Sequence, residues 1–330
     1  MIPSEVLSAL QTLIKIRQPV FLWGPPGVGK SQIVAQTAHA MNMELVDIRA
    51  VLLDPVDLRG LPRISSDGRA EWCAPAFLPE AGSSSQGVLF LDELNSAPPL
   101  VQAACYQLIL DRRIGEYLLP EHWTVIAAGN REQDRSVTHR MPTALANRMV
   151  HILCETDVDD WIAWAIRAHI RPEILAFLRF RPKLLHDFDP TVRSKAFASP
   201  RSWEFLSHIM DAEPEKRVCK ELYAGTIGEG ACAEFLGFLT IWQALPGVEE
   251  VLAAPDTVCV PEEPAALYAL CEALALRASG ATMSRIGQYA RRIPAEFGVL
   301  LMRDAVLHDA SLVETPAFEE WARDNADVLL

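Results

Sequence analysis

The chain has 330 residues, half of them hydrophobic, and a formal net charge of -13. That length exceeds what one hydrophobic core usually serves and favours about two domains. The acidic balance argues against a protein whose main task is coating nucleic acid, because phosphate binding needs a basic surface.

The seven cysteines form no CxxC pair and no zinc-type cluster, so they read as buried apolar residues in a reducing compartment. The start, MIPSEVLSALQ, lacks a basic n-region, and the longest apolar run, Phe235 to Leu245, is too short to span a bilayer. A soluble, cytoplasmic protein without a membrane span is the expectation.

Val6, Leu7, Leu10, Leu13 and Ile14 fall at helical spacing, and VFLW at 20–23 reads as a short buried strand. The next residues, GPPGVGKS, match the pattern of Gly, four residues, Gly, Lys and Ser/Thr that cradles nucleotide phosphates. Glycines let backbone N–H groups converge there, and the helix opened by SQIVAQTAHAM adds its positive dipole end. Gly24, Pro25, Pro26, Gly27, Val28, Gly29, Lys30 and Ser31 are therefore expected to bind nucleotide. Within them, Lys30 suits the β and γ phosphates and Ser31 suits magnesium.

ELVDIRA alternates like a strand, and ISSDGRAEW carries two short runs around Ser-Asp-Gly, which predicts a small hairpin. GVLFLDE is another buried strand, delivering Asp92 and Glu93 at its C-terminal end, where ligands sit in parallel sheets. Asp92 is expected to hold Mg2+ through its shell, and Glu93 to polarise an attacking water. A kinase attacks with a substrate hydroxyl, so a carboxylate beside the metal acid points to hydrolysis. The bland alternative is that the two acids only cap the next helix.

Ala97 to Leu110 has helical apolar spacing, RIGEYLLPEHW reads as strand, turn and strand, and TVIAAGN is a strand ending at Asn130. The Asn130 amide is placed to orient the water or contact the γ phosphate; taken alone, an Asn there is a turn former. Alternating strands and helices imply a mostly parallel sheet covered on both faces, an α/β nucleotide-binding domain over residues 1–154.

Beyond that point the strand signal fades. Trp161, Trp164, Ala165 and Ala168 mark one helical face, and Leu267, Leu270 and Leu274 another, so 155–330 is expected to be an all-α lid with C-terminal helices. Four prolines from Pro246 to Pro264 predict a linker and a sub-boundary near 246–264. The scattered histidines offer no further metal site, the tryptophans read as core, and the charges between Arg167 and Lys195 read as a solvated face.

In the order GPPGVGKS, VLFLDE, AAGN, ALANRMV and SPRSWEF, the chain resembles the AAA+ ATPases and, within them, the MoxR-like branch. The resemblance spans nearly the whole chain and is strongest over 20–155 and at SPRSWEF. It implies an AAA+ P-loop NTPase domain with small hairpin inserts, ATP and Mg2+ as cofactors, and an all-α lid. It also implies that Arg148 in LANRM reaches into the neighbouring subunit's nucleotide, with Arg140 in HRMP as a second candidate. Arg201 in SPRSW corresponds to the second sensor, which contacts the γ phosphate in its own subunit. A guanidinium stabilises charge developing on the transferred phosphoryl group, and supplying it in trans couples hydrolysis to assembly.

The ISSDGRAEW hairpin resembles the branch's insertion within the second helix, and RIGEYLLPEHW the hairpin before the first sensor strand; such elements line or rim a central pore. LLDPVDLRGLP lacks the aromatic pore residue of threading unfoldases, which argues against polypeptide threading. The function implied is a ring, a hexamer, that couples ATP hydrolysis to remodelling or maturation of a partner protein. A companion with a von Willebrand factor A domain is implied too. The alternatives are a restriction-type motor acting on nucleic acid, a P-loop kinase for a small molecule, and a nucleotide-locked scaffold with little turnover.

Overall fold

The computed structural model describes residues 1–80, 82, 84–134, 141–192 and 194–325. They form two compact units, one of Met1–Asp157 with a short stretch from Asp189, the other of Val158–Phe188 with the chain from Ser194 onward.

The first unit runs α1 (Pro3–Lys15), β1 (Val20–Trp23), α2 (Lys30–Ala40), β2 (Glu44–Arg49), α3 (Pro55–Arg59), β3 (Leu61–Ile64), β4 (Ala70–Cys73) and β5 (Gly87–Asp92). It continues through α4 (Pro99–Asp111), β6 (Arg113–Ile114), β7 (Tyr117–Leu118), β8 (Trp123–Gly129), α5 (Thr143–Ala146) and β9 (Val150–Leu153). Five strands form one sheet in the order β2-β5-β8-β1-β9, with every neighbouring pair parallel.

The central strands are continuous apolar runs because both of their faces are covered. On one face Phe21, Leu89, Leu91, Val125 and Ala127 pack with Leu58 of α3, Val101 and Leu108 of α4, and Leu145 of α5. On the other, Val20, Leu22, Val88, Phe90, Ile126 and Ala128 pack with Leu10 and Ile14 of α1 and with Ile33 and Val34 of α2. Each such Val, Leu, Ile or Phe side chain contributes roughly 1.5–3 kcal/mol on burial. The consequence for function is positional: β8 lies between β1 and β5, and its tip falls between the phosphate loop and the paired acids.

Two antiparallel hairpins accompany the sheet, β3 with β4, which is exposed, and β6 with β7, whose Ile114 and Tyr117 pack into the core. The first is longer than ISSDGRAEW, since its pairing starts at Leu61 opposite Cys73. Trp72 on it is 44% exposed, against the expectation that the tryptophans are core. A two-stranded ribbon has no second layer to bury it.

The second unit is helical: α6 (Val158–Arg167), α7 (Pro172–Phe180), α8 (Pro200–Asp211), α9 (Lys216–Ile227) and α10 (Glu229–Gln243), then α11 (Val248–Ala253), α12 (Pro264–Ala275), α13 (Met283–Ala290), α14 (Ala295–His308) and α15 (Pro316–Asp324). It has two apolar clusters, and α12 serves both, Ala265 and Ala269 in one and Leu267, Leu270 and Leu274 in the other. The stretch 246–264 is more than the linker expected. It contains α11, whose Val251 is buried, because Val248, Val251 and Leu252 share one helical face.

Arg179 also departs from a solvated face. It is buried and ion-paired with Asp304, 125 residues away, a partner that local charge pattern cannot reveal. Cys105, Cys154, Cys232 and Cys271 are buried as expected, whereas Cys73 and Cys259 are exposed. Among the described residues no helix is long and apolar enough to cross a membrane.

Candidate active site

After Trp23 the chain enters the 24–29 loop, which ends at Gly29 with φ +95°, the residue capping α2. That left-handed conformation suits glycine and turns the unpaired N–H groups of the first helical turn toward the loop. Lys30 folds back and is buried: its Nζ donates to Gly24 O at 2.8 Å, Pro25 O at 3.1 Å and Asn130 Oδ1 at 3.2 Å. One ammonium thus ties the loop after β1 to the tip of β8.

Ser31 Oγ donates to Asp92 Oδ2 at 2.7 Å, joining the start of α2 to the end of β5. The other carboxylate oxygen, Asp92 Oδ1, accepts the Glu93 N–H at 2.9 Å. Glu93 is left-handed, with φ 55°, a strained state for a residue with a side chain. Its side chain makes no cap hydrogen bond, and it is exposed. Next to these acids, burial first and the Asp92 charge second push the Asp47 carboxyl above its ordinary value, with Arg49 pulling the other way.

Asn95, which sequence reasoning does not single out, lies fully inside this arrangement. It is 2% exposed, and its Nδ2 donates to the Asn130 backbone carbonyl at 2.7 Å. The contact exists because residue 129 is glycine: a Cβ there would sit 2.1 Å from Asn95 Oδ1. The available signal was a polar residue two positions after the paired acids, facing a glycine before the strand-end amide.

Lys30, Ser31, Asp92, Glu93 and Asn130 therefore gather at the C-terminal ends of three adjacent strands. Arg148 lies elsewhere in this unit, in the turn between α5 and β9 at the sheet edge. Its carbonyl accepts Gln18 Nε2 at 3.2 Å, and its exposed guanidinium has no hydrogen bond or ion pair among the described residues. Arg140 lies outside the described residues. Arg201 is the second residue of α8 in the helical unit and is exposed; the helix is capped by Ser199, which accepts from Ser202 N.

The Ser31 hydroxyl and Asp92 carboxylate are hard oxygen donors already held together, in a field made more negative by Asp47. That donor set fits a divalent cation of the magnesium type. The loop and Lys30 suit phosphates, and the exposed Glu93 carboxylate suits a water's proton.

The parallel sheet with β8 between β1 and β5, the phosphate loop after β1 and the acids at the end of β5 make up an AAA+ P-loop fold, and the site is that of an enzyme that hydrolyses ATP. Residues 19–149 match the model of the AAA domain, dynein-related subfamily. Among solved structures the chain is similar to NtrX from Brucella abortus, with 13% identity and a TM-score of 0.42, over 97% of this chain and 66% of that one. It is also similar to NtrX of that organism in complex with ATP, with 14% identity and a TM-score of 0.42, over 99% and 68% of the two chains. A RuvB mutant from Thermotoga maritima gives 16% identity and a TM-score of 0.40, over 82% and 80%.

Proposed function

We propose that the protein is a MoxR-like AAA+ ATPase that assembles with itself as a ring, a hexamer, in the cytoplasm. It couples ATP hydrolysis to remodelling or maturation of a partner protein, working with a companion that bears a von Willebrand factor A domain. The observation that carries this reading is Arg148, an exposed guanidinium with no hydrogen bond or ion pair among the described residues, on a turn whose backbone is tied down. An exposed cation on an anchored turn at the sheet edge suits delivery to a neighbour's nucleotide.

In this mechanism Lys30 and the loop N–H groups bind the β and γ phosphates. Ser31 and Asp92 hold Mg2+, which supplies charge neutralisation at the phosphates when bound. Glu93 accepts the proton of the attacking water while Asn130 orients that water. Arg148 of the adjacent subunit and Arg201 of the same subunit stabilise the charge on the transferred phosphoryl group. The β3–β4 hairpin, with exposed Leu61, Ile64 and Trp72, offers an apolar contact surface beyond the site.

ATP turnover across protein concentrations, with subunit number followed by mass photometry with and without ATP, tests the reading. Specific activity is expected to rise as the ring forms. Full activity in a stable monomer would overturn the shared site. Mixing Lys30→Ala with Arg148→Ala subunits is expected to restore part of the activity, because some interfaces then pair an intact Lys30 with an intact Arg148.

A further inference from the structure

We infer that His151 is a positioning residue that ties the arginine-bearing turn to the phosphate loop of the same subunit, so that nucleotide in one site adjusts the arginine offered to the next. This rests on reading Arg148 as the arginine supplied in trans.

Trp23 Nε1 donates to His151 Nδ1 at 2.9 Å. An indole nitrogen only donates, so Nδ1 carries no proton and the neutral ring holds its proton on Nε2. That nitrogen lies 2.8 Å from Ala146 O and therefore donates to it. The two rings also stack, with centroids 6.0 Å apart and planes 24° from parallel.

The ends of this bridge are what give it meaning. Trp23 is the residue immediately before Gly24, and Ala146 closes α5 two residues before Arg148. On the other side of the turn, Gln18 Nε2 holds the Arg148 carbonyl. The turn is thus fastened at both ends of β1, by Gln18 before the strand and by Trp23 at its exit. A displacement of the phosphate loop that moves Trp23 is passed through one imidazole to the Ala146 carbonyl.

An imidazole suits this place because a neutral ring accepts on one nitrogen and donates on the other while stacking on indole. His151 is exposed, so core packing does not explain it. Phenylalanine would keep the stack and lose both hydrogen bonds. Glutamine can restore them through one amide, whose oxygen accepts from Trp23 and whose nitrogen donates to Ala146.

The test uses the full chain with His151→Phe and His151→Gln, measuring kcat, calorimetric ADP affinity and activity in mixed rings. His151→Phe is expected to lower kcat on the order of tenfold or more, since small misplacements of a positioned group are costly. ADP affinity should stay near that of the parent, and His151→Gln should recover most of the rate.

Mixing separates the arginine from the subunit's own loop. His151→Phe subunits should be rescued by Lys30→Ala subunits, which lend a well-placed Arg148, and should not rescue Arg148→Ala subunits. Rescue of Arg148→Ala, or failure to be rescued by Lys30→Ala, would overturn the proposal. So would an unchanged kcat in His151→Phe. If His151→Phe does not assemble, Trp23→Phe removes the same bond from the donor side and is read in the same way. Normal turnover in Arg148→Ala would remove the underlying reading and this proposal together, whereas loss there with none in His151→Phe removes the proposal alone.

Discussion

Asn95 donates from its side-chain amide to the backbone carbonyl of Asn130 at 2.7 Å, fastening the loop after β5 to the tip of β8. Asn95 is buried, and its Oδ1 has no partner among the described residues. A buried amide that leaves one acceptor unsatisfied is held there by what its other end does. Asn95→Ala frees the Asn130 backbone, and Gly129→Ala expels the Asn95 side chain from the opposite direction. Both are expected to lower kcat by roughly ten- to a hundredfold, the cost of misplacing a positioned group, while ADP binding is retained. Kinetics of Asn95→Ala, Asn130→Ala and the double variant provide the check. Strongly non-additive losses support the coupling, and additive ones would assign Asn95 to structure alone.

Lys30 is buried, and its hydrogen bonds to Gly24 O, Pro25 O and Asn130 Oδ1 hold the loop in a shape that phosphate oxygens can take over. Lys30→Ala is expected to weaken ATP binding by roughly ten- to a hundredfold or more, from charge-assisted hydrogen bonds worth about 1.5–3 kcal/mol. Calorimetric titration with ATP reads this directly. Undiminished affinity would remove the lysine from phosphate binding.

Glu93 combines an exposed carboxylate with a left-handed backbone, φ 55° and ψ 31°. Glu93→Gln keeps the shape and loses the proton acceptor, so turnover is expected to fall by about a hundredfold or more with ATP still bound. Glu93→Gly removes the acceptor and also the backbone strain, which costs on the order of 1 kcal/mol. The glycine variant is therefore expected to be inactive yet more heat-stable than the parent. Turnover and thermal unfolding measured side by side decide it, and a less stable glycine variant would show that the left-handed turn is not a store of strain.

The parts legible in the sequence were those whose signal is local. The buried strands at β1, β5 and β8 are continuous apolar runs, and the phosphate loop is a spacing of residue types. Asn130 stood out because it ends such a run. What escaped notice depends on strand order, which no window of sequence contains. Asn95 matters only because β5 and β8 are neighbours, and His151 only because β9 lies beside β1. Arg179 looked solvated because Asp304 is far away in the chain, and α11 was hidden by the prolines on either side of it.

The helical unit carries its own pH dependence at Asp304. Its carboxyl is ion-paired with Arg179 of α7, with Glu272 and His308 close by, bonded to each other, and with Arg303 and Asp159 at the rim. Burial pushes the Asp304 carboxyl from 3.8 up to about 7, against the pull of Arg179 and with Glu272 adding to the push. The folded chain therefore holds a proton between about pH 4 and 7 that the unfolded chain has released, so this group's contribution to stability falls as pH rises through that window. The full shift corresponds to roughly 4 kcal/mol, an upper bound for one carboxyl. Asp304→Asn keeps the shape and cannot ionise, so its stability should lack this fall. Urea unfolding of both proteins from about pH 5 to 8 is the measurement, with the parent expected to lose stability relative to the variant across that range. Parallel curves would mean that Arg179 keeps Asp304 ionised throughout.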